Sequence, residues 1–223
     1  KCIPSIMPSM SFDEALETTK IHSVAGKLSR EEGIISKRPF VTPHHTASNV
    51  SMIGGGSSAK PGLISLAHNG VLFLDEMPEY TRSMLESLRQ PLEDRVITVS
   101  RARQTISYPA SFMLVGSMNP CPCGYFGAKN GKCTCSPVQI ARYKSRISGP
   151  LMDRVDIRIT VDAVKYDELT ASGEEESSEE VRKRVDAARQ IQRERFSGDG
   201  ISTNAEMGER ELRKYCRLSA ECN

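Results

Sequence analysis

The stretch Gly70-Val71-Leu72-Phe73-Leu74-Asp75-Glu76 places two carboxylates directly after four consecutive apolar residues. A continuous apolar run of this length is typical of a parallel strand that is buried on both faces. Ligands of open α/β sheets bind at the carboxyl ends of such strands. We therefore expect Asp75 to hold Mg²⁺ and Glu76 to activate the water that attacks a γ-phosphate. The alternative is that the two acids merely open the next helix, whose first turn favours negative charge.

A second apolar run, Phe112-Met113-Leu114-Val115, is followed by Gly116, Ser117, Met118 and Asn119. If the two apolar strands are neighbours, Asn119 lies beside Asp75 and Glu76, where its amide can hold the attacking water or the γ-phosphate. Taken alone, Asn119 before a proline is typical of a turn. The two strand ends together favour a site that hydrolyses phosphate anhydrides.

Other segments supply helices and a hairpin. The Ser11-Phe12-Asp13-Glu14 stretch has the pattern of a capping box, ahead of a helix that we expect to reach about Val24. Thr81 can cap a helix between the two apolar strands. A hairpin is predicted next, over 96–107, with Ser100-Arg101-Ala102-Arg103 at its tip.

The spacing of apolar residues changes in the C-terminal third of the chain. Val155, Ile157, Ile159 and Val161 alternate with polar residues and predict a further strand, whereas helical spacing of apolar residues begins after the acidic run at 174–180. Strands alternating with helices give an α/β parallel sheet, followed by a helical lid. We predict a core domain over 1–162 and part of the lid over 163–223.

Composition excludes several classes of protein. The chain has 223 residues and a formal net charge of +2, too small for bulk charge to indicate nucleic-acid binding. The longest apolar run is strand-sized, so we expect no membrane partner. The first residues lack the pattern of a secretory signal, and the expected location is the cytoplasm.

Four of the seven cysteines form two Cys-x-Cys pairs, Cys121 with Cys123 and Cys133 with Cys135. Four thiolates can hold Zn²⁺ tetrahedrally, and such an ion would order a loop that has few core residues. The alternatives are four reduced thiols, or a disulfide formed during purification.

Several stretches resemble the magnesium-chelatase-like AAA+ ATPases of the ComM/YifB group. They are Phe40–Ser48, Ala67–Glu76, Gly116–Gly124, Arg146–Asp156 and the residues around Thr203–Met207. The resemblance runs over nearly the whole chain. It implies an AAA+ fold, ATP and Mg²⁺ as cofactors, and assembly of the parent protein with itself into a ring, expected to be a hexamer.

The same resemblance implies roles for four residues. Asp75 and Glu76 match the Walker B element and Asn119 matches sensor 1. Arg154 matches the arginine finger that reaches a neighbouring subunit's nucleotide, where a guanidinium stabilises the charge on the transferred phosphoryl group. The alternative for Arg154 is a pair with Asp153, Asp156 or another surface acid.

Two hairpins resemble insertions of replicative and branch-migration motors, which point into the central channel of the ring. One lies within 48–66 and includes Lys60, and the other carries Arg101 and Arg103. Basic residues in a channel can follow a phosphate backbone. They are also common at the tips of hairpins that only face solvent.

No Gly-x-x-x-x-Gly-Lys-Ser/Thr stretch is present in the sequence, and the chain resembles a fragment that starts just after its own phosphate-binding loop. We expect the parent to hydrolyse ATP and to remodel or translocate DNA, whereas the fragment binds nucleotide weakly and turns it over at background rate. One alternative is the chelatase motor, which drives metal insertion into a porphyrin. Another is a non-catalytic, zinc-stapled binding module.

Overall fold

The computed structural model describes residues 2–29, 33–56, 58–101, 104–128, 133–161 and 176–219. The chain forms two units. One consists of Met10–Ser172, and the other combines Lys1–Ser9 with Gly173–Asn223. The predicted domain boundary at 162 lies outside the described residues and stays a prediction.

The larger unit contains a parallel sheet and two hairpins. Its strands are β1 (Phe40–Val41), β2 (Gly54–Gly55), β3 (Lys60–Pro61), β4 (Val71–Leu74), β5 (Val96–Arg101), β6 (Gln104–Pro109) and β7 (Met113–Gly116). The first helix of the chain, α1 (Ile3–Ile6), belongs to the smaller unit. The helices of the larger unit are α2 (Phe12–Val24), α3 (Asn49–Ile53), α4 (Leu63–Leu66), α5 (Arg82–Ser87), α6 (Arg89–Asp94), α7 (Pro137–Lys144) and α8 (Gly149–Met152), with a 3₁₀ helix at Met77–Glu79.

The predicted parallel sheet is confirmed. In the described part of the chain its order is β1-β4-β7, and both strand pairs are parallel. Leu72 and Leu74 of β4 are completely buried, as the continuous apolar run predicts. Leu85 and Leu88 pack into the same core from the predicted helix after β4, which the structure divides into α5 and α6.

Helix α2 begins where the sequence predicts. The hydroxyl of Ser11 accepts a hydrogen bond from the backbone N–H of Glu14 at 3.1 Å, and the backbone N–H of Ser11 donates to the Glu14 carboxylate at 2.7 Å. This reciprocal pair satisfies two N–H groups that the first helical turn leaves without partners. Arg38 then pairs with Glu14 at 2.9 Å and donates to the carbonyl of Asn69, which ties α2 to the start of β4.

Both predicted hairpins are present. Strands β5 and β6 pair antiparallel from Val96↔Pro109 to Arg101↔Gln104, and β2 pairs antiparallel with β3. The smaller hairpin is anchored rather than free, because Ala59 is buried and its carbonyl accepts a hydrogen bond from the Tyr108 hydroxyl at 2.9 Å.

The strand predicted at Val155–Val161 is wrong. These residues form neither helix nor strand, and the side chains of Ile157, Ile159 and Val161 are 76–83% exposed. Alternation shows only that one face of a segment is apolar, and a strand also needs a neighbour for its backbone hydrogen bonds. Among the described strands, none pairs with this segment.

The smaller unit also contains α9 (Ser178–Arg195), a 3₁₀ helix at Asn204–Glu206 and α10 (Glu209–Tyr215). Phe196, which ends α9, is 2% exposed and meets the ring of Tyr215 edge-on at 5.3 Å. This unit therefore has a small aromatic contact of its own. Within the described ranges, no helix is long and apolar enough to cross a bilayer.

Candidate functional site

The polar residues after β4 and β7 meet at one edge of the sheet. The two strands are parallel neighbours and end in register, with Leu74 opposite Gly116. Beyond that pair, the backbone N–H of Ser117 donates to the carbonyl of Leu74 at 3.0 Å, and the N–H of Met77 donates to the carbonyl of Ser117 at 2.8 Å. The backbone after Asp75 is therefore fixed against the backbone before Asn119.

Ser117 joins the two predicted carboxylates. Its hydroxyl donates a short hydrogen bond to Oδ1 of Asp75 and accepts one from the backbone N–H of Glu76 at 3.2 Å. The same Asp75 oxygen also accepts from the Glu76 N–H at 3.1 Å. No sequence pattern singles out Ser117. Its place opposite Asp75 follows from the strand register, which the sequence alone does not give.

Glu76 has an unusual backbone conformation. Its φ of 50° and ψ of 48° lie in the left-handed region, which side chains with a Cβ seldom adopt. This conformation costs about 1–2 kcal/mol for a residue with a Cβ. Such strain persists where the surroundings impose it, and it concentrates at functional sites. The Glu76 side chain is exposed.

Asn119 lies three residues beyond the end of β7 and is exposed. Its backbone N–H faces the hydroxyl of Tyr143, a buried residue of α7. Burial raises the pKa of Tyr143, the N–H of Asn119 lowers it, and the negative charges of Glu79 and Glu76 add to the rise. No sequence pattern singles out Tyr143. Its hydroxyl faces the backbone of Asn119 and also interacts with the negative charge of Glu76.

Arg146 and Tyr80 complete this edge of the sheet. Arg146 Nη1 donates to Oε1 of Glu79 at 2.8 Å and to the carbonyl of Pro78 at 3.2 Å. Tyr80 donates its hydroxyl hydrogen to the carbonyl of Pro43 at 2.6 Å. Burial, together with the charge of Asp75, raises the pKa of Tyr80. The segments that follow β1 and β4 are thereby joined.

Arg154 takes an intrachain partner. Its guanidinium forms a short ion pair with Glu93 of α6 and donates to the carbonyl of Pro150 at 2.8 Å. In the isolated chain, Arg154 therefore pairs with a surface acid, which was the predicted alternative to an arginine finger. The acid is Glu93 and neither Asp153 nor Asp156. The Arg154 side chain stays 27% exposed. Its role as an arginine finger remains a prediction.

The four paired cysteines come together. Their Sγ atoms all lie within 4.8 Å of one another, and the separations from Cys121 to Cys123, from Cys121 to Cys133 and from Cys123 to Cys133 are 3.4, 3.8 and 3.7 Å. A disulfide requires about 2.05 Å between sulfurs. Four sulfurs at about 2.3 Å from one zinc ion lie about 3.8 Å apart in a tetrahedron. The cluster thus has the spacing of a tetrahedral thiolate site.

Backbone N–H groups also favour thiolates in this cluster. The N–H groups of Tyr125 and Thr134 donate to Cys123 and lower its pKa to about 6. By contrast, burial and the neighbouring sulfurs of Cys123 and Cys121 raise the pKa of Cys135 to about 11, as expected when several thiols crowd together without a cation. The N–H of Phe126 donates to Cys121 Sγ at 3.3 Å, and Cys121 is completely buried. Buried thiolates are stable only beside a cation or several donors. Sulfur donors in a closed set of four suit Zn²⁺.

Of the three residues predicted to contact nucleic acid, Lys60 and Arg101 belong to the described part of the chain. Lys60 is exposed at the first position of β3. Arg101 is the last residue of β5, and only its backbone is described. Arg103 lies outside the described residues.

Comparison with known proteins identifies related sequences. The family model described as "Magnesium chelatase, subunit ChlI" matches residues 1–169, and that of the C-terminal part of the same subunit matches residues 175–223. An uncharacterised protein of Mycobacterium tuberculosis is 44% identical over 98% of the chain. The uncharacterised protein YifB of Escherichia coli and the competence protein ComM of Haemophilus influenzae are each 42% identical, over 98% and 97% of the chain.

The chain spans only 42–43% of the length of these relatives. The chloroplast magnesium-chelatase subunit ChlI of rice is 33% identical over 52% of the chain and 28% of its own length. A crystal structure of NtrX from Brucella abortus in complex with ADP aligns with 67% of the chain and 29% of its own, at a TM-score of 0.38 and 18% identity.

Proposed function

Because the chain belongs to the magnesium chelatase ChlI family, we propose that it forms the metal-binding and water-activating part of an ATP-driven motor that works in the cytoplasm. The observation that carries the proposal is the juncture of β4 and β7. Asp75 and Ser117 are hydrogen-bonded across it, Glu76 follows Asp75 directly, and Asn119 follows Ser117 by two residues. Polar oxygen groups at this edge of an α/β sheet are where a phosphate ligand and its metal bind.

The residues present fit Mg²⁺. This ion prefers oxygen ligands and keeps several of its waters, and the Asp75 carboxylate with the neighbouring Ser117 hydroxyl offers such oxygens at an exposed position. When bound, Mg²⁺ would neutralise charge on the phosphate oxygens. Glu76 takes a proton from the attacking water, and the Asn119 amide orients that water.

The chain does not supply a cradle for the phosphates. Its sequence contains no Gly-x-x-x-x-Gly-Lys-Ser/Thr stretch, whose N–H groups and lysine would bind them. Since the relatives are more than twice as long, we assign the phosphate cradle to other parts of the whole protein. In this proposal the present residues bind nucleotide weakly by themselves.

Ring assembly gives Arg154 its proposed task. Side chains that pair at a partly exposed position gain little from the pair, typically up to about 1 kcal/mol. The contact between Arg154 and Glu93 can therefore be exchanged for one with the phosphates bound to a neighbouring subunit, where a guanidinium stabilises the developing charge. We propose a hexamer in which Arg154 acts across the subunit interface.

DNA is the proposed substrate of the motor. Lys60 lies in one antiparallel hairpin and Arg101 ends the first strand of the other, and Arg103 follows Arg101 closely in sequence. From such hairpins, cations can follow a phosphate backbone in a ring channel. The name of one relative, competence protein ComM, favours a task in DNA uptake or recombination. Branch migration is the specific activity that we propose.

The chelatase motor is the second candidate. The rice chelatase subunit supports it, although that likeness covers 52% of the chain, against 97–98% for the ComM and YifB relatives. The two candidates differ in the ligand that stimulates hydrolysis. DNA should stimulate a branch-migration motor, whereas a chelatase should respond to its porphyrin and metal substrates.

We also propose that the cysteine cluster binds one structural Zn²⁺. Support comes from the sulfur separations of 3.4 to 3.8 Å and from the donors that favour thiolates. Because four protein ligands close the coordination shell, the ion has no open position for catalysis. Zinc without hydrolysis would instead favour the non-catalytic binding module.

ATP hydrolysis by the whole protein, measured with and without DNA, tests the proposal. Glu76→Gln removes the proton acceptor and keeps the shape, so hydrolysis should fall by about 100-fold or more while ATP binding is retained. Glu179→Gln, on an exposed face of α9, is the matched control and should hydrolyse ATP like the parent. No ATP hydrolysis by the parent, or equal rates in both variants, would contradict the proposal.

A further inference from the structure

The cysteine loop, residues 120–128 and 133–136, leaves and rejoins the proposed hydrolytic edge. Cys121 is two residues after Asn119, and Cys135 is two residues before Pro137, where α7 begins. A single ion held by both Cys-x-Cys pairs would therefore cross-link the chain immediately after Asn119 to the chain immediately before α7. The position of this helix then depends on the metal.

Helix α7 contacts both strand ends of the edge. Arg146, just beyond the helix, donates to Glu79 and to the carbonyl of Pro78, and the Tyr143 hydroxyl faces the backbone N–H of Asn119. Glu79 lies three residues after Glu76. The helix thus connects the segment that presents the proposed catalytic carboxylate with the segment that presents the proposed sensor amide.

Burial holds α7 only at its C-terminal end, where Ile147, just beyond the helix, is 6% exposed and belongs to the hydrophobic core. Tyr143 is the one buried residue within the helix, and Val138 is 77% exposed. Besides Tyr143, the contact between Lys144 Nζ and the ring of Phe126, at 5.2 Å, attaches the helix to the cysteine loop. The N-terminal part of this eight-residue helix has no buried residue and is marginal unless something else fixes it.

We propose that the zinc ion is a positioning element for the hydrolytic edge: by fixing α7 through the cysteine loop, it holds Tyr143 where it binds the backbone of Asn119. This inference rests on the proposed binding of zinc and on the proposed role of Asn119. Metal-binding free energy becomes folding free energy for a segment that lacks a core. Loss of zinc should release Asn119, whereas β4, whose Leu72 and Leu74 are completely buried, keeps its structure.

The first measurement uses the chain itself, in metal-loaded form and after treatment with a chelator. Metal analysis should find one zinc per chain, and Co²⁺ in its place should give the absorption of a tetrahedral thiolate site. NMR-detected hydrogen exchange should show the Asn119 amide exchanging at least about tenfold faster after zinc removal, whereas the amide of Leu72 stays protected. Zinc well below one per chain overturns the inference.

Three variants separate the links of the argument. Cys123→Ser should lose zinc and release the Asn119 amide, while Cys216→Ser, an exposed cysteine outside the cluster, should do neither. Tyr143→Phe keeps the ring and removes the acceptor, so it should retain zinc and still release Asn119. If Asn119 exchanges at the same rate with and without zinc, or in Tyr143→Phe, the positioning role is overturned.

Kinetics of the whole protein give the functional readout. Tyr143→Phe should lower kcat for ATP several-fold with KM nearly unchanged, because it disturbs the position of Asn119 and leaves nucleotide contacts intact. A rise in KM with kcat unchanged would overturn the positioning role. If the parent does not hydrolyse ATP, the proposed function fails, while the zinc and exchange results still decide whether the metal fixes the Asn119 backbone.

Discussion

The parallel sheet that ends in β7 and the cysteine loop that follows β7 in sequence are stabilised in different ways. Strand β4 lies in a core of completely buried residues such as Leu72 and Leu74, whereas the loop has few apolar residues and gathers four sulfurs. A site built on the strands inherits the rigidity of the core. The stability of a site that depends on the loop is set by the ion that binds the sulfurs.

This comparison divides the proposed hydrolytic edge into two halves. Asp75, Glu76 and Ser117 are positioned by strand register and should keep their geometry without metal. Asn119 lies between the sheet and the loop, and its backbone faces Tyr143 of α7, which we propose to hold it. We therefore expect changes in the core to affect the whole edge, and changes in the loop to affect Asn119 alone.

The largest expected effect comes from the core. Leu72→Ala removes a completely buried side chain from the central described strand, and should lower the free energy of unfolding by about 2–5 kcal/mol. Chemical denaturation measures this change. Ile157→Ala, at a position that is 76% exposed, is the control and should stay within about 0.5 kcal/mol of the parent. Equal losses in both variants would show that β4 is not the core strand.

A smaller effect of opposite sign is expected at Glu76. Glycine relieves about 1–2 kcal/mol of left-handed strain. Its greater freedom in the unfolded chain offsets about 0.5–1 kcal/mol of that gain. Glu76→Gly should therefore stabilise the protein by about 0.5–1 kcal/mol in chemical denaturation while hydrolysis is lost. Glu76→Gln keeps the Cβ and should leave stability unchanged. A destabilised Glu76→Gly would contradict the backbone conformation of Glu76.

The smallest effect is expected at the contact between the loop and α7. Lys144→Ala removes the ammonium that lies 5.2 Å from the ring of Phe126, a contact worth about 0.5–1 kcal/mol at an exposed site. Thermal unfolding of the zinc-loaded chain should show a small decrease, and Lys183→Ala on α9 should show less. A loss as large as that of Leu72→Ala would mean that contacts of α7, and not the metal, hold this helix.

Much of the fold follows from local sequence signals. The capping box at Ser11 and Glu14, the buried strand before Asp75 and the hairpin over 96–107 each have a local physical cause, and all three are present. The predicted strand at 155–161 failed, because alternation cannot show whether a partner strand exists. Short-range patterns thus predict elements better than they predict pairings.

The site shows the same division. The carboxylates and the amide can be recognised in the sequence because they follow apolar runs, and the four cysteines because they form two Cys-x-Cys pairs. Ser117 and Tyr143 cannot be recognised in this way, because their contacts depend on strand register and on the return of the chain through α7. The left-handed backbone of Glu76 was equally out of reach, since nothing in an apolar run followed by two acids specifies it.

The most direct test of the central claim, that Glu76 and Asn119 act on one water at a shared sheet edge, is a double-mutant cycle in the whole protein. Single-turnover ATP hydrolysis would be compared for the parent, Glu76→Gln, Asn119→Ala and the double variant. If both side chains serve the same water, the double variant should be about as slow as Glu76→Gln alone. Rate losses that multiply would show that the two residues act independently and would contradict the account.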